Sequence, residues 1–312
     1  MKNAIKIIAL CMALCLSFCA CAPVGGSNSE EETKETVEIM QKEDPKQDDT
    51  INLLMIGNSF CYYFTDELYG MAKAAGIKLR VCNVYYSGCT LDQHWKWWKN
   101  HEAKYEFFVT DENGRKKHEG VDLEYCLQQY NWDFISLQSA SGALKTKSAA
   151  EVLDETKTYH TDLWNYIKEQ YPQSKHLWHQ TWSYQVGYDR NGYKMETKEQ
   201  QDEYAKKQYD YALAVCKQFD LDRVNTGEAW QLIRTCGYDN LCARKAVNGG
   251  EGDYYHDGDI GGGQYLNACV WFETITGQSC IGNTFRPTSY TLDEAFVGVL
   301  QKAANTVVAS KK

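Results

Sequence analysis

The residue with the clearest potential for chemistry is Ser59, which stands just after a short apolar run. Five of the six residues from Ile51 to Ile56 are apolar without alternation, which predicts a strand buried on both faces. Gly57 interrupts the run, and apolar residues at helical spacing follow within Thr65 to Ala75. A serine in such a strand-to-helix turn is expected at the carboxyl end of a parallel sheet, where open α/β proteins bind ligands.

Two roles are open to Ser59 from this segment alone. Its hydroxyl can act as a nucleophile in acyl transfer, because its N–H is expected near a helix N-terminus that stabilises a developing negative charge. Serine is also a favoured helix N-cap, and a cap performs no chemistry. Other motifs of the chain are needed to distinguish a nucleophilic role of Ser59 from a capping role.

Strands and helices are predicted to alternate along the rest of the chain. Further strands are expected at Ile77–Tyr85, Trp132–Gln138, Ser174–Trp182 and Asp222–Gly227. An Asn113-Gly114 turn between the segments Tyr105–Val109 and Lys116–Val121 predicts a hairpin beside the main sheet. The order of elements predicts an α/β fold, a flavodoxin-like three-layer sandwich around a roughly five-stranded parallel sheet.

The segment around Ser59 resembles the opening motif of a known hydrolase family. Gly57-Asn58-Ser59-Phe60 is similar to the Gly-Asp-Ser block of SGNH, or GDSL-type, hydrolases, with Asn in place of Asp. The longer stretch Leu-Met-Ile-Gly-Asn-Ser-Phe resembles an SGNH-like family of bacterial lipoproteins, common in bacteria that degrade complex glycans. The resemblance spans about Ile51 to Val308 and implies the SGNH hydrolase fold, with serine esterase activity that needs no metal or organic cofactor.

The same resemblance implies an Asp-x-x-His motif near the end of the chain. Asp253-Tyr-Tyr-His256 has this form and lies in a Gly-rich segment over residues 237–263. At this spacing the Asp253 carboxylate can accept from the imidazole Nδ1–H of His256 and fix its tautomer, as an orienting group does for a catalytic base. Asp257 and Asp259 remain alternative partners for His256.

Two further positions are expected to donate hydrogen bonds to an oxyanion. Gly88, in a Tyr-Ser-Gly-Cys loop after the second predicted strand, fits the second block of the family, and its N–H would act beside that of Ser59. A glycine that only permits a turn is the alternative. The third block departs from the usual Gly-x-Asn-Asp, and the amide of Gln138 is expected to replace that of the missing Asn.

Three side chains at the end of the fourth predicted strand are candidates for substrate binding. His179, Gln180 and Trp182 are expected at the same edge of the sheet as Ser59. His179 is also a rival to His256 as the catalytic base, or a histidine of the pocket wall with its hydrogen bonds satisfied. Gln180 and Trp182 are expected to line the substrate pocket.

The N-terminus has the pattern of an export signal. A short basic start precedes an apolar run from Ile7 to Ala22, which is too short and wrongly flanked for a settled membrane span. The run ends in a segment that resembles a bacterial lipobox, with Cys21 as the lipid acceptor. We predict a lipoprotein signal peptide over 1–21, a polar linker over 22–49 and the SGNH-like domain over 50–312. A secreted protein cleaved nearby is the alternative.

Composition and charge narrow the class of partner. The chain of 312 residues is 43% hydrophobic and 24% charged, which is typical of a globular domain. A net charge of −9 argues against nucleic acid. With the export signal and many aromatic residues, the resemblance implies an esterase whose substrate is an acylated carbohydrate or another small ester, and for which the acyl group removed is in particular acetyl. Its contact with the membrane is expected only through the lipid anchor. The alternative is a non-catalytic glycan-binding lipoprotein with the same fold.

Two other expectations concern the same loops. Cys61 and Cys89 lie within two residues of proposed site residues and are expected to form either a disulfide or buried thiols. Asp253, Asp257 and Asp259 with their neighbouring glycines also suit a calcium loop, although the usual final glutamate is missing. Cysteine and histidine spacing does not indicate a zinc site, so no metal is expected to take part in the reaction.

Overall fold

A seven-stranded sheet forms the centre of the protein. The structure, a computed structural model, describes residues 49–138, 141–187, 189–190, 193–236, 243–245, 251–253 and 262–310. Strands in this part of the chain are β1 (Ile51–Gly57), β2 (Leu79–Tyr85), β3 (Tyr105–Asp111), β4 (Gly114–Val121), β5 (Phe134–Leu137), β6 (Lys175–His179), β7 (Asp189–Arg190), β8 (Tyr193–Lys194), β9 (Asp222–Val224), β10 (Ala243–Lys245) and β11 (Glu251–Asp253).

Helices occupy most of the connections between these strands. The described residues contain α1 (Ser59–Tyr62), α2 (Thr65–Ala74), α3 (Leu91–Lys99), α4 (Leu123–Leu127), α5 (Ala149–Gln170), α6 (Lys198–Phe219), α7 (Thr226–Thr235), α8 (Gly263–Thr276), α9 (Glu294–Ala309) and a 3-10 turn at Ser141–Leu144. Within these described elements, no helix has both the length and the hydrophobicity that crossing a membrane requires.

The strands of the central sheet have the order β4-β3-β2-β1-β5-β6-β9. Strands β2, β1, β5, β6 and β9 run parallel, whereas β3 and β4 form an antiparallel hairpin that continues the sheet beyond β2. The predicted three-layer sandwich with about five parallel strands is confirmed. The expectation that the hairpin lies beside the sheet is wrong, because β3 pairs with backbone groups that would otherwise leave β2 as an open edge.

Each face of the sheet has its own hydrophobic core. Leu53 and Met55 of β1 lie in a cluster with residues of α2, α8 and α9, whereas Leu54 and Ile56 lie in a second cluster with residues of α3, α5 and α6. Successive side chains of a strand point to opposite faces. Because both faces of β1 are covered, its sequence is continuously apolar, as a parallel sheet requires.

Local sequence signals set the start of the longer helices. Capping boxes, in which an N-cap hydroxyl and a side chain three residues later exchange bonds with backbone N–H groups, open three helices: α3 at Thr90, α5 at Ser148 and α6 at Thr197. The long helices predicted from apolar periodicity are present. The four-residue α1 and the five-residue α4 are not predicted by the sequence, because a single turn leaves no periodic pattern.

Glu67, in the first turn of α2, is a carboxyl group buried in this framework. Tyr290 donates its hydroxyl hydrogen to Oε1 at 3.2 Å, and Oε2 has no hydrogen-bond partner among the described residues. Burial disfavours the charged form and raises the pKa of Glu67 from 4.5 to about 7. Between these two values the unfolded chain releases a proton that the folded protein keeps, so stability falls as pH rises through this window.

We predict that Glu67→Gln removes this loss of stability, because an amide does not titrate. The free energy of unfolding of the variant minus that of the wild type should increase by on the order of 3 kcal/mol between about pH 4 and about pH 8. Chemical unfolding at several pH values measures this difference, with Glu112→Gln in the exposed hairpin turn as the control. A difference that does not change with pH would contradict the raised pKa of Glu67.

Candidate active site

Ser59 is the first residue of α1 and lies just beyond the carboxyl end of β1. The helix is capped by Asn58, so the alternative in which Ser59 is the cap is wrong. As the first helical residue, Ser59 has an N–H that finds no acceptor within α1 itself. Gly57 precedes the turn because a Cβ at that position would lie 2.7 Å from the side chain of Gln138. The predicted strand-to-helix turn is therefore present.

Asn58 joins three parts of the site through one amide. Its Oδ1 accepts from the backbone N–H of Phe60 at 3.1 Å and from Nε2 of Gln138 at 2.8 Å. Its Nδ2 donates to the carbonyl oxygen of Cys89 at 2.9 Å. Asn58 is only 1% exposed. An aspartate here would place a charge in this buried position and, when ionised, could not donate to Cys89, which explains the departure from Gly-Asp-Ser.

The loop that carries Gly88 is attached directly to the serine turn. Asn58 holds the carbonyl of Cys89, and the N–H of Cys89 donates to the carbonyl of Tyr86 at 3.1 Å. Gly88 itself is exposed, with φ of +66°, and a Cβ there would meet open space. The glycine thus supports a left-handed turn at the surface. Its predicted role as an oxyanion donor is compatible with this placement and stays a prediction.

Gln138 lies just after β5, as predicted, but the structure gives its amide a different partner. Nε2 donates to Asn58 Oδ1, Oε1 lies 3.2 Å from Nδ1 of His179, and Gln138 is 1% exposed. An oxyanion donor has to present an N–H to the substrate. The described contacts instead assign the Gln138 amide to the support of the serine turn, so no contact seen here carries the expected oxyanion role.

His179, at the end of β6, has both ring nitrogens within hydrogen-bond distance of protein atoms. Nδ1 faces Gln138 and Nε2 lies 3.0 Å from Oγ1 of Thr226. The ring is buried, and desolvation lowers the pKa of His179 to about 3, so it is neutral at physiological pH. A base must reach the hydroxyl whose proton it takes. His179 therefore fits the expectation of a satisfied wall histidine and not that of a rival base.

Gln180 and Trp182 lie at the expected edge of the sheet, but protein atoms cover both side chains. Arg223 donates to Oε1 of Gln180 at 2.8 Å. The ring of Trp182 stacks on Trp230 at a centroid distance of 4.5 Å and touches Phe60 at 4.6 Å. In this conformation the two residues pack the edge of the sheet, and their predicted contact with substrate stays a prediction.

The proposed partners of Ser59 fall mostly outside the described residues. Asp253 ends β11, whose backbone pairs with β10 from Asp253 to Ala243. His256, Asp257 and Asp259 lie outside the described residues, and so does the alternative calcium loop that includes them. Among the residues that the structure describes, no group of His, Cys, Asp and Glu could hold a metal ion.

The two cysteines beside the site are buried thiols. Cys61 and Cys89 are unbridged, which decides between the two predicted states. The Cys61 thiol lies 3.3 Å from the carbonyl oxygen of Asn58, and burial raises its pKa to about 12. Burial also raises the pKa of Cys89. A thiol that stays protonated is a poor nucleophile, so neither cysteine competes with Ser59 in that role.

Two residues of the site are not singled out by the sequence. Asn58 stands out only as a departure from Gly-Asp-Ser, and nothing in its neighbourhood indicates three simultaneous bonds. Thr226 lies two residues after β9, as Gln138 lies one residue after β5. Its position at the carboxyl edge of the sheet could have marked it as a site residue. What the sequence cannot supply is the side-chain contact between neighbouring strand ends.

Comparison with models of protein families assigns a family to the chain. The model of a domain of unknown function, DUF4886, matches residues 52–307. The chain belongs to the DUF4886 family. A crystal structure of a DUF4886 family protein from Bacteroides uniformis is similar to it, with 26% identity and a TM-score of 0.72 over 85% of this chain and 97% of that one. The DUF4886 fold described here is therefore shared with that protein.

More distant structures include proteins named as a lipase and as an esterase. A putative GDSL-like lipase from Parabacteroides merdae has 15% identity and a TM-score of 0.42 over 73% of this chain and 95% of its own. An acetyl xylan esterase has 10% identity and a TM-score of 0.44 over 72% and 100%, respectively. TM-scores of this size give no information about the activity of the DUF4886 chain. Among curated proteins there is no match.

We predict that Asn58→Asp, which introduces the residue of the usual Gly-Asp-Ser block, destabilises this DUF4886 protein. The new carboxylate would be buried and would face the Cys89 carbonyl, at a cost of about 2–4 kcal/mol in the free energy of unfolding at neutral pH. The loss should shrink at acid pH, where a protonated carboxyl can again donate. Chemical unfolding measures both effects, with the exposed Asn113→Asp as control. Equal stability of Asn58→Asp and wild type would contradict the role given to the amide.

Proposed function

We propose that the protein is a serine esterase that removes acyl groups, in particular acetyl, from carbohydrate at the cell surface. The observation that carries the proposal is the fixed turn at Ser59. A serine begins a helix at the carboxyl end of a central strand, and Asn58 ties that turn to the exposed Gly88 loop. Acyl transfer uses this combination of a hydroxyl nucleophile and nearby backbone N–H donors.

In the proposed reaction, Oγ of Ser59 attacks the ester carbonyl carbon while His256 takes the hydroxyl proton. The N–H groups of Ser59 and Gly88 donate to the carbonyl oxygen as it becomes negative. Collapse of the intermediate breaks the bond to the sugar oxygen, which leaves with the proton from His256, and the acyl group stays on Ser59. His256 then deprotonates a water whose oxygen attacks the acyl carbon, the bond to Oγ breaks, and Oγ of Ser59 takes the proton back from His256 as the free acid leaves. Asp253 orients the imidazole throughout.

Packing beside the serine favours a small acyl group. Phe60 follows Ser59, is buried, and packs against Trp182 at 4.6 Å and Tyr184 at 6.1 Å between ring centroids. These rings fill the space next to the turn on that side, so a long acyl chain would have to displace them. An acetyl group makes no such demand.

The carbohydrate and the location are proposed from the sequence. The export signal and the lipobox-like segment at Cys21 support a location outside the cytoplasm with a lipid anchor. The substrates within reach of an anchored protein there are polymers of the surroundings and of the cell surface. An acetylated glycan meets both requirements, because it is such a polymer and its acyl group has the small size that the packing favours.

We predict that Ser59→Ala and His256→Ala each lower kcat for p-nitrophenyl acetate by about a thousandfold or more, because nucleophile and base act as one unit. The wild-type rate should fall as pH decreases through roughly 6.5, the ordinary pKa of a histidine base. Ser310→Ala, an exposed serine near the C-terminus, is the control.

Labelling by an organophosphonate separates an esterase from a binding protein. The wild type should be labelled at Ser59 and the Ser59→Ala variant should not. If wild type is neither labelled nor active, the esterase proposal fails, and a glycan-binding protein becomes the alternative.

A further inference from the structure

A line of hydrogen bonds runs across the carboxyl ends of all the parallel strands of the central sheet. Each of the strands β2, β1, β5, β6 and β9 contributes one group to this line, at its last residue or shortly after it, and each group contacts the next at 2.8 to 3.2 Å. In spatial order these groups are the carbonyl of Cys89, the amide of Asn58, the amide of Gln138, the imidazole of His179 and the hydroxyl of Thr226. We refer to this line as the edge chain.

Two backbone groups fix the direction of the edge chain at Asn58. The N–H of Phe60 can only donate, and the carbonyl of Cys89 can only accept. Asn58 must therefore present Oδ1 to Phe60 and Nδ2 to Cys89, as the structure has it. Gln138 then has to present Nε2 to Asn58 Oδ1, which leaves its Oε1 facing His179.

The orientation of Gln138 sets the tautomer of His179. Because Oε1 of Gln138 can only accept, Nδ1 of His179 must carry the hydrogen. Burial keeps the ring neutral, with a pKa of about 3, so Nε2 has no hydrogen and accepts from the Thr226 hydroxyl. The single hydrogen of that hydroxyl is shared, because Oγ1 also donates to the carbonyl of Gln180 at 2.5 Å, and this carbonyl accepts the N–H of Gly227 at 3.1 Å as well. The direction of each hydrogen bond from Phe60 to His179 is therefore fixed.

We propose that His179 is a positioning residue for the Ser59 site. Its Nδ1–H holds Gln138, Gln138 holds Asn58, and Asn58 fixes the serine turn against the Gly88 loop. The proposal rests on the proposed esterase function for its catalytic consequence. His179 touches no reacting atom in this scheme, and its effect travels through two amides.

Two substitutions separate this role from simple packing. Asn at position 179 can place an amide nitrogen near the position of Nδ1 and keep the bond to Gln138, whereas Gln reaches toward the position of Nε2 and loses it. Both replace an aromatic ring with a smaller amide, so both should lower the melting temperature to a similar extent. A packing role predicts similar kinetics for the two variants, and a positioning role predicts different kinetics.

We expect His179→Gln to lower kcat for p-nitrophenyl acetate by about 30-fold or more, since small displacements of a nucleophile have large effects on rate. His179→Asn should stay within about threefold of wild type, and KM should change little in either variant. The control is His160→Gln, which removes another buried neutral histidine that contacts Tyr211 on the far side of the sheet from α2. It should lose stability without this loss in kcat. Equal kcat for the two variants at position 179 would overturn the proposal.

Two NMR measurements test the edge chain without any substrate. Nitrogen shifts of the His179 ring in the full protein should show hydrogen on Nδ1 and not on Nε2, unchanged between about pH 5 and about pH 8. The Phe60 amide should exchange its hydrogen faster in His179→Gln than in His179→Asn. The opposite tautomer, or equal exchange in the two variants, would overturn the proposal. An inactive and unlabelled wild type would instead refute the esterase function, and these two measurements would still decide whether His179 positions the turn.

Discussion

The carbonyl of Cys89 and the N–H of Phe60 are backbone groups that approach each other at the edge of the sheet, and each needs a partner of the opposite kind. A single side chain serves both, because the amide of Asn58 accepts on one side and donates on the other. A carboxylate could satisfy the N–H but not the carbonyl, and a hydroxyl is too short to span the two. The serine turn and the glycine loop are held together by this requirement, so the geometry of the site depends on one amide.

The parallel sheet makes the rest of the arrangement possible. Its five parallel strands all end at one edge, and a polar group at or shortly after the end of each strand contacts the corresponding group of the neighbouring strand. Buried polar groups are costly when unpaired, by about 1–3 kcal/mol each. A line in which every member is paired avoids that cost and resists partial change, since removing one member leaves its neighbours unsatisfied. The two cores above and below the sheet keep the strand ends in register.

Much of this fold follows from local patterns, and the exceptions are instructive. The apolar run from Ile51 to Ile56 and the turn at Gly57 were enough to locate Ser59, because a strand that is buried on both faces consists almost entirely of apolar residues. The Asn113-Gly114 turn predicted a hairpin but not its partner, since pairing with β2 is decided by the exposed edge of a distant strand. Gln138 and His179 were placed correctly, but the hydrogen bonds of Gln138 were not foreseen, and His179 fits only one of the roles expected of it, that of a wall histidine. Both lie at strand ends, where a ligand is expected, but their partners are residues far apart in the chain, and a sequence does not reveal which side chains will meet.

The direction of β1 separates the point where the chain enters the sheet from Ser59. The chain enters the sheet at Thr50 and reaches Ser59 after the seven residues of β1, so the point of entry and the edge that carries Ser59 lie about 20 Å apart, at opposite ends of the strand. Any attachment upstream of residue 50 therefore pulls on the side remote from the serine.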